Sequence, residues 1–279
     1  MPLLTDNQKQ DFARDGFVFL PGFYNLVSEI QPIQRAIHAI IGLVISRHRL
    51  DIAQEPFSPE CFDSGFQKLI AAKRAAGGEV YDAVKQIPAF VRLVADARHE
   101  ILFEDLRPDS LPAVAGGGYG IRIDNPREDR YSAPWHQEYP AQLRSMDGLV
   151  LWSPLLPMTP ELGPVKICRG SHLLGPIPVY SRDPRNPEKT GAYSLTLHNE
   201  EKLVGDFEQV EPLPGPGDLL LMDFLTIHAS GINFGQRSRW SMQFRFFNFH
   251  EPVGMKMGWK GSFAAGVDFR TLHPELCVD

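Results

Sequence analysis

The sequence predicts a mainly β domain with α-helices: an antiparallel sandwich or barrel preceded by a helix-rich segment. Three observations predict it. From Gly116 onward the chain consists of short apolar or alternating runs separated by Gly, Pro, Asn and Asp, the pattern of antiparallel strands joined by turns. Before Pro108, apolar residues recur at helical spacing instead. The last long run alternates strictly: positions 240, 242, 244 and 246 are Trp, Met, Phe and Phe, whereas 237, 239, 241, 243 and 245 are Arg, Arg, Ser, Gln and Arg. One face of that strand is apolar and the other polar.

Length and composition set the bounds. A chain of 279 residues fits one domain, 1–279, with a helix-rich part over 1–110, a sheet core over about 116–250 and a C-terminal tail over 251–279. The net charge of −6 and the lack of a dense basic run argue against nucleic-acid binding. Cys61, Cys168 and Cys277 are odd in number and widely spaced, so no disulfide framework or C-x-x-C site follows and a reducing compartment is expected. The N-terminus has no signal pattern, and the longest near-apolar stretch, 36–45, is too short to span a bilayer and contains His38. A cytoplasmic protein without membrane contact is expected. Oligomeric state is not legible.

The elements follow in order. Thr5 with Gln8 three residues on forms a capping-box start for a short helix closed by Asp15-Gly16. Phe17-Val18-Phe19-Leu20 reads as a strand stopped by Pro21-Gly22. The 25–50 segment is helical, with Ile30, Ile33, Ile37, Ile40, Ile41 and Val44 on one stripe and Pro32 in its first turns. The 58–106 segment is again mostly helical, with a break expected at Gly77-Gly78. Expected strands are 119–124, 134–139, 147–154, 164–168, 207–212, 218–223, 226–230 and 238–249. The Gly116-Gly117-Gly118-Tyr119-Gly120 run lacks the Lys-Ser/Thr of a phosphate loop and leads into a strand instead. The Pro- and charge-rich stretch 176–193 is too long for a tight connection and suits a lid or binding loop.

The chemistry centres on Trp135-His136-Gln137-Glu138-Tyr139-Pro140. If this stretch is extended, His136 and Glu138 stand on the same side roughly 6–7 Å apart along the backbone. Pro134 and Pro140 disfavour a helix here. Two such ligands can hold a small cation but need a third. Among nine histidines, His228 has the strongest context, following the buried run Leu219-Leu220-Leu221-Met222-Asp223 and preceding the turn-rich Asn233-Phe234-Gly235. If 228 and 239 oppose each other across a hairpin, Arg239 projects beside His228 with Ser241 on the same face. An arginine fork and a hydroxyl beside a metal ligand suit a carboxylate that also reaches the metal. Two histidines, one carboxylate and open coordination positions form the non-haem Fe(II) oxygenase arrangement.

With these residues in place the sequence resembles the phytanoyl-CoA dioxygenase (PhyH) family of Fe(II)/2-oxoglutarate-dependent oxygenases, over nearly the whole chain. Leu4-Thr5-Asp6-Asn7-Gln8 to Phe17-Val18 is similar to its N-terminal motif. Pro134 to Pro140 matches its metal strand, and Leu162-Gly163-Pro164-Val165 through Arg169-Gly170-Ser171-His172 its "NG-PL…pGSH" segment. Gly217-Asp218-Leu219 to Asn233, and Arg239-Trp240-Ser241, match its distal half.

The resemblance implies a double-stranded β-helix (jelly roll, cupin-like) with packed N-terminal helices. It implies that His136, Glu138 and His228 ligate Fe(II), that Arg239 clamps the distal carboxylate of the co-substrate 2-oxoglutarate with Ser241 assisting, and that Trp152 lies in the pocket. Arg237 competes with Arg239, and the family's spacing favours Arg239. O₂ is the second co-substrate, succinate and CO₂ are released, and a small-molecule metabolite is the substrate. The family usually has Asp where this chain has Glu138; halogenating relatives carry no carboxylate there, so Glu138 argues for hydroxylation or desaturation. The alternatives are a cupin-like metal enzyme and a metal-binding protein, neither using 2-oxoglutarate. Arg122 and Asp124 could face the pocket, and His172 is expected to be structural.

Overall fold

The structure is a computed structural model, and it describes residues 2–128, 132–185, 187–188, 195–261 and 269–278. The expected capping box opens α1 (Asp6–Asp15), and Gly16 ends it in a left-handed conformation, φ 78°. β1 (Phe17–Leu20) follows. A π-helical turn (Leu26–Ile30) leads into α2 (Gln31–Arg47), with Pro32 in its first turn and Ile33, Ile37 and Ile41 fully buried. Next come α3 (Phe66–Ala72), α4 (Arg74–Val84), α5 (Pro88–Val94) and α6 (Ala97–Leu106). The break expected at Gly77-Gly78 is absent, because α4 runs through both. Gly77 serves packing rather than termination: a Cβ there would lie 2.8 Å from the Ile70 side chain. The real breaks come at extended Lys73, at Ile87 before Pro88 and at the N-cap Asp96, whose side chain accepts from Arg98 N.

The rest of the chain is β2 (Pro112–Val114), β3 (Gly120–Asp124), α7 (Glu138–Gln142), β4 (Gly148–Pro154), β5 (Val165–Cys168), β6 (Val179–Tyr180), β7 (Thr196–Leu197), α8 (Glu200–Gly205), β8 (Gln209–Val210), β9 (Leu219–Asp223), β10 (His228–Ser230), β11 (Arg239–Asn248), α9 (Pro252–Met257), α10 (Phe269–Leu272) and β12 (Cys277–Val278). The larger sheet has the order β1-β9-β4-β11-β2, with β3 also paired to β11; β10-β5-β8 forms a second sheet and β12-β6-β7 a small third one. Among the described residues all strand pairings are antiparallel except β12 with β6. The two principal sheets make the mixed, jelly-roll-like architecture expected, with helices on the outer face of the larger one. Only part of the 176–193 stretch lies within the described residues, and its β6 is sandwiched between β7 and the C-terminal β12.

β11 shows why its alternation matters. Trp240 meets Phe62 and Phe66 edge-on, and Phe244 stacks on Phe90 at 5.5 Å, so the even positions pack against the helices. On the odd side three positions turn to the interior between the sheets and are buried, not solvated: Arg239 is 1%, Ser241 0% and Arg245 8% exposed.

Two further expectations fail. The expected strand 134–139 is not one: His136 alone makes a bridge, and Glu138 begins α7 with Pro140 in its first turn. A proline is tolerated there because first-turn N–H groups have no intrahelical acceptor. Nor do His228 and Arg239 oppose each other in a hairpin. His228 pairs with Ile167 on β5, and Arg239 with Asp124 on β3. The intervening segment crosses between sheets because its polar groups bond outward: Gly231 N donates to Pro164 O, and the Asn233 side-chain amide donates to Asp124 O and Arg237 O.

Candidate metal centre

His136 and His228 are brought together by backbone. Each donates its N–H to the other's carbonyl at 3.0 Å, so the side chains emerge next to each other with ring centroids 4.3 Å apart. His136 Nδ1 lies 2.7 Å from Pro134 O and His228 Nδ1 lies 2.9 Å from Thr226 O. A carbonyl only accepts, so each Nδ1 carries the proton and each Nε2 presents a lone pair. Glu138 enters from the first residue of α7, placed by its N–H donating to Phe224 O at 2.8 Å. Its Oε2 stands 3.6 Å from His136 Nε2 and 3.5 Å from His228 Nε2. One donor atom from each residue lies within 4.8 Å of the others, and all three residues are buried. Glu138 Oε2 is buried without a hydrogen-bond partner among the described residues. Three convergent donors, two imidazole and one carboxylate, with an unsatisfied buried oxygen among them, fit a small divalent metal such as Fe(II).

The electrostatics agree. Burial pushes the Glu138 carboxyl up, but Arg245 and the two histidines outweigh it and hold Glu138 well below the usual carboxylate range. Burial and the neighbouring His228 push His136 down, leaving a neutral ligand. The small cavity at the triad is lined by Arg122, Trp152, Gln243 and Arg245, with Val150, Val165 and Met222 as apolar wall. Its volume of about 30 Å³ admits a cation and one or two water-sized groups. A larger hollow of about 340 Å³ shares Arg122 with it and is bounded by Phe66, Arg74, Tyr81, Asp124 and Glu128.

The other expected site residues fall as follows. Trp152 lines the metal cavity. Arg239 lies outside it, its fork engaged by Asp124 at 2.8 Å and by the Gly163 carbonyl. Burial raises the Asp124 carboxyl, but Arg122 and Arg239 more than offset this and hold it ionised. Ser241 lies on the same face of β11, opposite Arg122 and Pro154, with its Oγ buried and unpartnered among the described residues. Arg237 is removed from the site by its ion pair with Asp63 at 2.8 Å. His172 is structural, its Nε2 meeting Ala13 O at 3.1 Å.

Sequence reasoning missed two residues. Gln137, between the ligands, ties the metal segment to its surroundings: its amide donates to Gly175 O and Leu225 O, and its Oε1 accepts from Ile177 N. Arg245, on the same alternating face as Arg239, is the arginine that touches the triad. The alternation marked its face but not its partner.

The phytanoyl-CoA dioxygenase (PhyH) family model matches residues 12–241. No curated protein sequence matches the chain. Many solved structures do. EctD from S. alaskensis with 2-oxoglutarate and 5-hydroxyectoine is 18% identical, with a TM-score of 0.56 over 88% of this chain and 77% of that one. The epimerase SnoN, in complex with Fe3+, alpha ketoglutarate and nogalamycin RO, is 17% identical with a TM-score of 0.56 over 94% of this chain and 91% of that one. EvdO2 from Micromonospora carbonacea var. aurantiaca is 18% identical with a TM-score of 0.50 over 89% and 94%. No helix among the described residues is long and apolar enough to cross a membrane. With the family model matching over most of its length, the chain belongs to the phytanoyl-CoA dioxygenase family and is a non-haem iron, 2-oxoglutarate-dependent oxygenase.

Proposed function

We propose that the chain hydroxylates an unactivated C–H bond of a small-molecule metabolite, with His136, Glu138 and His228 as the Fe(II) ligands. The observation that carries this reading is the convergence of their three donor atoms within 4.8 Å in a buried cavity. Bound iron with 2-oxoglutarate and O₂ supplies the oxidant for C–H cleavage, with succinate and CO₂ as by-products.

The protein's own share is binding and positioning. Pro134 O and Thr226 O set the histidine tautomers. Arg239 and Ser241 receive the distal carboxylate of 2-oxoglutarate: Asp124 and Gly163 O orient the guanidinium, and the Ser241 hydroxyl has its hydrogen-bonding capacity still to fill. Trp152 with Val150 and Met222 lines the apolar wall that keeps water from the reacting centre. The adjoining hollow of about 340 Å³ lies within the range of small-ligand sites, roughly 300–1,000 Å³. Glu138 supplies the carboxylate that a halide replaces in halogenating relatives, which favours hydroxylation.

The test is an anaerobic titration of the metal-free protein with Fe(II) and then 2-oxoglutarate, followed by visible absorbance. A weak charge-transfer band that needs both additions and is lost in His136→Ala is expected. Substrates are then screened by succinate release, and hydroxylation requires a product 16 Da heavier than its substrate. A product 2 Da lighter means desaturation. Iron uptake without the band, together with an activity unaffected by Arg239→Ala, means a cupin-like enzyme that does not use 2-oxoglutarate.

A further inference from the structure

Arg245 touches the triad through Glu138, yet the proposed reaction assigns it no role. It sits on the interior face of β11 at 8% exposure. Its fork is held on three sides: Nε donates to Glu138 Oε1 at 2.7 Å, Nη1 to the Gly118 carbonyl at 3.1 Å and Nη2 to Gln243 Oε1 at 2.9 Å. The two oxygens of Glu138 are therefore unlike. Oε1 is bound to Arg245, whereas Oε2 has no hydrogen-bond partner among the described residues and faces both histidine Nε2 atoms.

A carboxylate beside a cation binds through one oxygen or through both. Glutamate has one more rotatable bond than aspartate, so its side chain alone does not choose. We propose that Arg245 is a positioning residue that holds Glu138 to one-oxygen ligation through Oε2, an inference that rests on the metal-centre reading above. Gly118 O and Gln243 fix the plane of the guanidinium, so the fork cannot follow the carboxylate if it turns. The Gly116-Gly117-Gly118 run thereby gains a role, supplying a carbonyl to this clamp. With one donor atom from each of the three residues, a bound metal would keep positions free for the co-substrates. The clamp also accounts for how glutamate serves where the family usually has aspartate: the longer side chain is tethered at its far oxygen.

The experiment is the same anaerobic iron and 2-oxoglutarate titration on wild type, Arg245→Met, Glu138→Asp and the double variant, with thermal melting of each metal-free protein. Arg245→Met is expected to bind Fe(II) about 10–100-fold more weakly and to show a shifted or diminished charge-transfer band at saturating iron. In the Glu138→Asp background, where the shortened carboxylate is withdrawn from Arg245, the same change costs less than about threefold; contacts that act through one another are non-additive. A purely structural role lowers the melting temperature equally in both backgrounds and leaves iron affinity unchanged. Should Arg245→Met fail to fold, Gln243→Leu loosens the fork without removing its charge and is expected to weaken iron binding about threefold. An iron Kd within about twofold of wild type and an unchanged band, in whichever variant folds, overturns the proposal, as does an equal loss in the aspartate background. If wild type shows the band and only these outcomes fail, Arg245 alone is misassigned; if wild type takes up no iron, the metal-centre reading falls and this one with it.

Discussion

His136 and His228 exchange two backbone hydrogen bonds of 3.0 Å each, and their rings stand 4.3 Å apart. The main chain places these two histidines, through the backbone bonds they exchange. His228→Ala is therefore expected to keep the metal-free fold, with a melting temperature within a few degrees of wild type, while iron uptake at stoichiometric concentration is lost. Iron content after gel filtration, with circular dichroism alongside, checks both halves.

Arg239 meets a carboxylate from within its own sheet, Asp124, and a carbonyl from the Gly163 turn. Lysine keeps the charge but cannot serve two planar acceptors at once. Arg239→Lys should raise the 2-oxoglutarate requirement about 10–100-fold while leaving Fe(II) affinity near wild type. Equal effects on both would show that the residue acts on the metal and not on the co-substrate.

Gly148 opens β4 directly under the Phe224 ring, where an added Cβ would sit 2.3 Å from a ring carbon. The Phe224 carbonyl is the acceptor that places Glu138 N. Gly148→Ala must displace that ring, at a cost of about 1–3 kcal/mol. A lowered melting temperature together with weakened iron binding is expected; either effect without the other would show that the Phe224 turn does not couple fold to site.

His99 lies on α6 against Phe244 and Phe246, its Nε2 2.7 Å from Tyr24 Oη. Burial, opposed by Asp96 and aided by Arg98, lowers its pKa from 6.5 to about 4. Below pH 6.5 the unfolded chain takes up this proton and the folded chain does not, so stability falls as pH drops from 6.5 towards 4 and this contribution levels off below that. The loss amounts to about 3 kcal/mol across that window. Urea unfolding at pH 7 and pH 4.5 should show it, and His99→Gln should flatten the difference. An unchanged slope in the variant assigns the effect to other groups.

Much of this was legible in the chain. The capping box at Thr5, the buried alternation of β11 and the strands 148–154, 165–168 and 219–223 follow local rules, in which neighbouring residues decide the outcome. The triad was legible through the i, i+2 pair of His136 and Glu138 and the context of His228, although the local geometry read for it was wrong. The i, i+2 argument assumed a strand, whereas Gln137 is extended and Glu138 already helical. The residues still converge because Glu138 is pinned to Phe224 and His136 to His228, two contacts from distant parts of the sequence.

What the sequence by itself determined is the class of fold, the interior face of β11 and the residues able to ligate a metal, because periodicity and residue chemistry are local properties. Only the tertiary structure decided which partners these residues have. It moved Arg239 from His228 to Asp124, ran α4 straight through Gly77-Gly78 and brought Arg245 onto Glu138. The physical reason is common to all three. A buried charge or a close packing contact is settled by what lies across the core, and the chain from Glu138 to Arg245 spans several strands before the two meet at 2.7 Å.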